Sequence, residues 1–253
     1  MPVEIVGIPA FSDNYIWLMH DGTHGVVVDP GDAAPVQSAL EERDLELAGI
    51  LVTHHHFDHT GGVLALRDYS ACPVWGPKNP KIEGIDHRVG EGDHVSLLGA
   101  ELAVIEVPGH TLDHIAYIGP DWVFCGDTLF AGGCGRVFEG TFPMMRASLQ
   151  RLRQLPAATR VFCAHEYTTA NLAFAVAADP DNSALQRRVK TCQELRAQNQ
   201  PTVPSTIGEE IATNPFMRWD AQSLTAHLAR TGGETTADPD AVFAQLRQWK
   251  DNF

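Results

Sequence analysis

Up to about residue 164, the chain alternates short apolar runs with turn residues, which is the pattern of β-strands. Between some of these runs, apolar residues recur at helical spacing. Strands with interspersed helices favour layered sheets that helices cover. The pattern predicts strands at 3–8, 15–19, 25–29, 49–53, 102–107, 115–118, 122–125 and 160–163, and helices at 34–43, 62–67 and 144–155.

After about Ala164 the periodicity becomes helical, over 167–177, 183–198 and 239–250. Asp238 followed by Pro239 predicts a helix start, with an N-cap and a proline at the first helical position. We therefore expect two domains, a β-rich one over residues 1–165 and a smaller helical one over 166–253.

Composition narrows the class of protein. A hydrophobic content of 44% and a charged content of 20% are typical of a soluble domain. No apolar run reaches the roughly 18 residues of a membrane span, and no signal peptide is evident, so we expect a cytoplasmic protein. The net charge of −14 argues against a nucleic-acid partner. Five cysteines without C-x-x-C spacing indicate reduced thiols.

A cluster of metal-ligating residue types directly follows the apolar run 49–52. Its pattern is His54-x-His56-x-Asp58-His59, and an extended backbone would send His54 and His56 to the same side. Neutral imidazole suits zinc or iron, and a carboxylate adds an oxygen ligand. Three further apolar runs also end at a ligand-type residue. Together, the four run ends predict a metal site that includes His110, Asp127 and His165.

These residues resemble the ligand motif of the metallo-β-lactamase superfamily, over roughly residues 1–170. The resemblance implies an αββα sandwich in the β-rich part. It also implies that Asp127 bridges two metal ions. The remaining ligands would divide into His54, His56 and His110 for one ion, and Asp58, His59 and His165 for the other.

Three polar residues near this motif keep open interpretations. Asp29 could hold a ligand or its loop, or could simply form a turn. His114 could orient a ligand or only be buried, and His55 is expected to point away from the metals.

Further segments resemble the glyoxalase II (hydroxyacylglutathione hydrolase) family along the whole chain. They are 11–15 (FSDNY), 125–130 (CGDTLF), 133–140 (GCGRVFEG), 165–168 (HEYT), 214–218 (NPFMR) and 250–253 (KDNF). The resemblance implies hydrolysis of S-(2-hydroxyacyl)glutathione thioesters, such as S-D-lactoylglutathione to D-lactate and glutathione, the second step of methylglyoxal detoxification. The nucleophile would be hydroxide activated by two divalent ions, zinc or alternatively iron or manganese, with Asp58 and Asp127 catalytic.

The same resemblance assigns the glutathione contacts to Arg136, Phe138, Tyr167, Arg247 and Lys250. Two of these positions depart from the family, because Arg136 replaces its usual lysine and Phe138 its common tyrosine. We expect a small-molecule substrate, no nucleic-acid or membrane partner, and a monomer.

Other functions stay open from the sequence. The same fold could hydrolyse a different thioester, a lactone or a phosphodiester, or could process nucleic acid. A serine or cysteine nucleophile is a further alternative, although the chain has no G-x-S-x-G motif and Cys134 has no evident base. A metal-binding protein without catalysis is the last.

Overall fold

The structure is a computed structural model that describes residues 3–233, 236 and 238–253. The backbone forms two compact units. The first unit comprises Met1–Glu106 and Asp113–Gly126, and the second comprises Val107–Leu112 and Asp127–Phe253. This grouping does not follow the boundary predicted at residue 165, which stays a prediction.

The first unit contains a six-stranded mixed sheet. The chain order of its strands is also their order in the sheet. The first two pairings are antiparallel and the next three are parallel. The strands are β1 Glu4–Ala10, β2 Asn14–His20, β3 His24–Val28, β4 Glu46–Leu51, β5 Val74–Pro77 and β6 His87–Val89.

Helices cover one face of this sheet because their apolar residues pack into the same buried cluster as the strands. Leu18, Val27 and Ile50 of the strands share that cluster with Leu40 and Leu66 of two helices. The first of these helices begins at Asp32, whose carboxylate accepts a hydrogen bond from the Ala34 amide. The helices of this unit are α1 Ala33–Arg43, α2 Phe57–Thr60 and α3 Val63–Ser70.

Four antiparallel strands make a second layer in the first unit. They are β7 His94–Leu97, β8 Ala100–Glu106, β9 Ile115–Ile118 and β10 Trp122–Gly126. The Tyr117 hydroxyl on β9 donates to the Val52 carbonyl at 3.0 Å, and the Ile115 amide donates to the Thr53 carbonyl at 2.9 Å. These bonds fix the chain that leaves β4, where the histidine motif begins.

The second unit is mainly helical around an aromatic core. Phe216 lies 5.8 Å from Phe174 and 5.7 Å from Phe243 between ring centroids. Short strands β11 Leu129–Phe130 and β12 Gly133–Cys134 form a hairpin, and β13 Arg160–Cys163 pairs with β14 Ser205–Thr206. The helices are α4 Phe142–Arg153, α5 Thr168–Ala178, α6 Ser183–Ala197, α7 Ile207–Thr213, α8 Gln222–Arg230 and α9 Pro239–Asp251, with a 3₁₀ turn at Pro215–Met217.

A buried ion pair holds the β11–β12 hairpin in the second unit. Arg188 on α6 donates to Glu210 on α7 at 2.6 Å, and both side chains are buried. The other Glu210 oxygen accepts the Gly132 amide at 2.9 Å and the Asn214 side chain at 3.0 Å. A buried charge needs a partner and further hydrogen bonds. This network therefore fixes the hairpin that follows Asp127.

The predicted strands and helices are present with shifted ends. Residues 144–155 were predicted helical, but α4 begins at Phe142, because Thr141 caps it by accepting the Met144 amide. The predicted start at Asp238 is confirmed, since its carboxylate accepts the Asp240 amide. The sequence pattern missed the short strands β5, β6, β7, β11, β12 and β14 and the helices α2, α7 and α8. No helix among the described residues is long and apolar enough to span a membrane.

Candidate metal and substrate site

In the first unit, the Asp29 carboxylate supports two of the predicted ligands. It accepts the Thr53 amide at 2.7 Å and the Thr53 hydroxyl at 2.8 Å. Because that hydroxyl donates its only proton to Asp29, it accepts from Nδ1 of His54, 3.0 Å away. Nδ1 of His59 lies 3.0 Å from the same carboxylate. His54 therefore carries its proton on Nδ1 and keeps the Nε2 lone pair for a ligand, while the Asp29 carboxylate contacts Nδ1 of His59.

The predicted ligand atoms of the first unit lie close together in pairs. Nε2 of His54 is 3.1 Å from Nδ1 of His56, and Nε2 of His59 is 3.5 Å from Oδ2 of Asp58. The Asn14 side chain donates to Oδ2 of Asp58 at 3.0 Å, a contact that the sequence analysis did not anticipate. Asn14 comes from β2, so this bond ties the Asp58 carboxylate to the sheet.

In the second unit, Asp127 faces two histidines with different oxygens. Nε2 of His110 lies 3.4 Å from Oδ2, and Nε2 of His165 lies 3.3 Å from Oδ1. Nδ1 of His110 is 2.7 Å from the Arg136 carbonyl, which can only accept, so His110 also keeps its Nε2 lone pair. A carboxylate placed in this way is suited to bridge two cations.

These spacings fit metal ligation. In a tetrahedral site with zinc–ligand bonds of roughly 2.0–2.1 Å, ligand atoms lie about 3.3 Å apart. The four pairs at 3.1, 3.5, 3.4 and 3.3 Å are consistent with that value. Among the described residues, His and Asp side chains form groupings that could hold a metal ion.

The glycine-rich loop, residues 133–140, lies against two of the three predicted ligands of the second unit, His110 and Asp127. The Phe138 and Glu139 amides donate to the His110 carbonyl at 3.2 and 3.3 Å. A Cβ atom at Gly135 would collide with the Asp127 carbonyl oxygen, so glycine permits this approach. The loop therefore places Arg136 and Phe138 beside His110 within the second unit.

Two of the predicted substrate residues are aromatic and accessible. Phe138 is 61% exposed, and its ring packs edge-on against His110, with 5.2 Å between the ring centroids. Tyr167 is 38% exposed and stacks on His165 at 4.7 Å between centroids. Both rings thus flank a predicted metal ligand while keeping surface for a substrate.

The predicted cations differ in their accessibility. Arg136 is exposed and its Nε lies 3.5 Å from Asp251. Arg247 is only 4% exposed, and its guanidinium donates to the Cys134 carbonyl and to Asp251. Lys250 is half-buried over the Phe174 and Phe253 rings, and burial followed by the Arg247 charge lowers its pKa. The structure thus brings the three cations of this set together around α9.

Three residues with open interpretations have definite contacts. Asp29 contacts both Thr53 and His59, so it is more than a turn residue. His114 is fully buried, and its ring stacks on His54 at 4.5 Å. Nδ1 of His55 lies 2.9 Å from Asp113.

The cysteines have the properties of core residues. All five lie among the described residues, are buried and are outside any disulfide bond. Burial raises the pKa of the Cys134 thiol, and it raises that of Cys163 to about 12. A thiol nucleophile needs a lowered pKa, so these environments argue against cysteine catalysis.

Sheets flanked by helices, together with His/Asp ligand sets at strand ends, define the class of protein. A family model described as the metallo-beta-lactamase superfamily matches residues 10–165. ETHE1 from Myxococcus xanthus has a similar structure, with a TM-score of 0.67 and 25% identity, over 99% of this chain and 98% of that one. TTHA1623 in a di-iron-bound form gives a TM-score of 0.60 at 26% identity, over 84% and 99%. The chain has the metallo-β-lactamase fold.

The second family match points to one family within this superfamily. A model described as the hydroxyacylglutathione hydrolase C-terminus matches residues 166–253. The hydroxyacylglutathione hydrolase of Idiomarina loihiensis is 48% identical, over 99% of this chain and all of that protein. The chain belongs to the hydroxyacylglutathione hydrolase family, and it is therefore a hydrolase of the metallo-β-lactamase superfamily.

Proposed function

We propose that this protein hydrolyses S-(2-hydroxyacyl)glutathione thioesters, with S-D-lactoylglutathione giving D-lactate and glutathione. The observation that carries the proposal is the likeness to hydroxyacylglutathione hydrolases over 99% of the chain. The ligand geometry of each unit supports it, because it suits a hydrolase that depends on metal ions.

We further propose two divalent ions per chain, zinc or alternatively iron or manganese. His54, His56 and His110 would bind one ion, and Asp58, His59 and His165 the other. Asp127 would bridge the two, in agreement with its two oxygens facing different histidines. The di-iron-bound form of TTHA1623 shows that a structurally similar protein holds two metals.

The chemistry of hydrolysis divides between the ions and the side chains. Bound divalent cations lower the pKa of water and polarise a carbonyl oxygen. Asp58, held by Asn14, can accept a hydrogen bond from the attacking hydroxide and so direct its lone pair. The leaving glutathione thiol has an ordinary pKa near 8.5, so the thiolate departs with little need for a general acid.

The substrate's charge suits the cations of the second unit. Glutathione carries two carboxylates, which pair with guanidinium and ammonium groups. We propose that Arg136 and Lys250 provide these charges, with Phe138 and Tyr167 beside the peptide portion. Arg247 belongs to the same set, although its guanidinium already donates to Cys134 and Asp251.

The wider assignment follows from the same activity. We propose a cytoplasmic monomer in the second step of methylglyoxal detoxification, with no nucleic-acid or membrane partner. We keep the division at residue 165, with 1–165 as the catalytic domain and 166–253 as the helical substrate-binding domain.

A three-substrate assay tests the activity. Purified protein is given S-D-lactoylglutathione, a β-lactam and a phosphodiester at equal concentrations, and the release of each product is measured. We expect rapid hydrolysis of the thioester alone. Faster turnover of the β-lactam or the phosphodiester would assign the site to another reaction of the same fold.

A further inference from the structure

The buried arginine of the last helix, Arg247 on α9, makes its hydrogen bonds within the protein. Nη1 of Arg247 donates to the Cys134 carbonyl at 3.1 Å, and Nη2 donates to Oδ1 of Asp251 at 3.0 Å. The guanidinium carbon lies 4.9 Å from the centroid of the Phe216 ring. A buried guanidinium needs such partners, because leaving a charge unpaired in the interior is costly. Arg247 therefore joins α9 to β12, at the start of the glycine-rich loop.

Asp251, also on α9, contacts the same loop at Arg136, two residues after Cys134. Its Oδ1 atom, which accepts from Arg247, also lies 3.5 Å from Nε of Arg136. One turn of α9 thus holds the loop at two points, at the backbone of Cys134 and at the side chain of Arg136. We call Arg247 and Asp251 the α9 clamp.

The clamped loop is also the support of His110. The Arg136 carbonyl accepts the Nδ1 proton of His110 at 2.7 Å, while the Phe138 and Glu139 amides hold the His110 carbonyl. The loop has little freedom to move away, because Gly135 lies against the Asp127 backbone and its amide donates to the Thr128 carbonyl at 3.3 Å. Arg136 therefore contacts the clamp with its side chain and His110 with its carbonyl.

We propose that Arg247 and Asp251 are positioning residues for His110, so that α9 tunes the metal affinity of the protein through the glycine-rich loop. This proposal rests on the role of His110 as a metal ligand in the proposed function. Partners that orient a ligand through its other ring nitrogen raise metal affinity by about 10- to 100-fold. The clamp acts one contact further away, and we expect it to contribute less.

The test compares the zinc affinities of protein variants that are substituted at different positions of α9. Zinc-loaded protein is titrated with a chromophoric chelator, and zinc transfer gives the dissociation constant. We expect Asp251→Ala to weaken zinc binding by about 3- to 10-fold, below the range for a direct partner of a ligand. Asp251→Asn keeps an oxygen that can accept from Arg247, so it should restore part of the affinity.

Asp240→Ala is the matched control. Asp240 lies in the first turn of the same helix and pairs with Arg146. Asp240→Ala removes a charge and an arginine contact from α9, but it does not change a residue that contacts the glycine-rich loop. We therefore expect the zinc affinity of this variant to stay within about twofold of that of the wild type. Equal weakening by Asp251→Ala and Asp240→Ala would overturn the clamp and leave only helix stability.

A spectroscopic measurement separates positioning from general loosening. The hydrogen-bonded Nδ1 proton of His110 should give a slowly exchanging NMR signal in the zinc-loaded wild type and in Asp240→Ala, and a faster-exchanging one in Asp251→Ala. An unchanged signal in Asp251→Ala would contradict the proposal. Neither measurement uses the thioester, so absent thioesterase activity would refute the proposed function and leave the clamp to be decided by zinc affinity.

Discussion

At the scale of single residues, Phe138 offers the most direct test of the substrate assignment. Its ring is exposed and lies beside His110. We expect Phe138→Tyr to lower KM for a glutathione thioester by about two- to tenfold, since one neutral hydrogen bond contributes roughly 0.5–1.5 kcal/mol. The added hydroxyl would contact the peptide portion, which is alike in ground and transition states, so kcat should stay nearly constant. Steady-state kinetics give both constants.

A thioester without the glutathione peptide is the control for this substitution. It cannot form the added hydrogen bond, so its KM should be the same for the wild type and Phe138→Tyr. Equal improvement on both thioesters would mean that the new hydroxyl acts through the packing of the loop.

The lowered pKa of Lys250 leads us to expect that substrate binding depends on pH. Burial and the Arg247 charge lower the pKa of its ammonium, so Lys250 loses its charge at a lower pH than an ordinary lysine. We expect KM for the glutathione thioester to rise as the pH passes upward through that lowered pKa. Lys250→Arg should remove the rise, because a guanidinium stays charged over the whole range.

The control for this prediction is Lys190→Arg, at an exposed lysine on α6. It should leave the pH profile of KM unchanged. A profile that is the same in the wild type and Lys250→Arg would show that Lys250 does not bind the substrate carboxylate.

At the scale of elements, periodicity predicted the buried strands and the long helices. Residues 25–28 of β3 and the whole of β10 are continuous apolar runs that are buried on both faces, so the sequence pattern reveals them. β6 and β7 are only 3 and 4 residues long and begin with exposed histidines, so neither contains a continuous apolar run that the sequence pattern would reveal. α7 is similarly short, at 7 residues.

The candidate ligand residues could be proposed from the sequence because they follow apolar runs, but the side chains and carbonyls that support them could not. Asn14 contacts Asp58 across 44 positions of sequence, and the Arg136 carbonyl contacts His110 across 26. No local spacing encodes such contacts, since they depend on which strands become neighbours. The burial of Arg247 could not be predicted from the sequence either, because an arginine at the same helical position is usually exposed on the protein surface.

Core packing of α9 gives a prediction for this helix. Phe243 is fully buried, with its ring 5.7 Å from Phe216 and 6.5 Å from Phe142. We expect Phe243→Ala to lower the free energy of unfolding by about 3–5 kcal/mol, through lost burial and the cavity left behind. Chemical denaturation measures the change.

Phe253→Ala is the comparison for Phe243→Ala, because Phe253 follows the same helix but is 61% exposed. It should cost less than about 1 kcal/mol, as is usual for surface positions. Similar losses in the two variants would contradict the packing of α9 through Phe243.

At the scale of the whole molecule, charge and metal binding are linked. The chain has 32 acidic and 18 basic residues, a net charge of −14. Such an excess repels itself in the compact state. In the proposed function, divalent cations bound next to the Asp58 and Asp127 carboxylates would offset part of this negative charge. We therefore expect metal to stabilise the folded protein beyond its role in catalysis.

Removal of metal should accordingly lower the melting temperature. A ligand at about 1,000 times its dissociation constant stabilises by roughly 4 kcal/mol, and each kcal/mol shifts Tm by about 2–4 °C in a protein of this size. We expect chelation to lower Tm by about 8–16 °C and zinc to restore it. Magnesium should restore little, because it prefers oxygen to imidazole ligands. In Asp127→Asn the chelation-induced shift in Tm should be smaller, since that carboxylate faces both His110 and His165.

Metal analysis of the wild-type protein should give two ions per chain. One ion per chain with full activity would refute the two-metal site. A Tm that chelation leaves unchanged would refute a contribution of metal to stability.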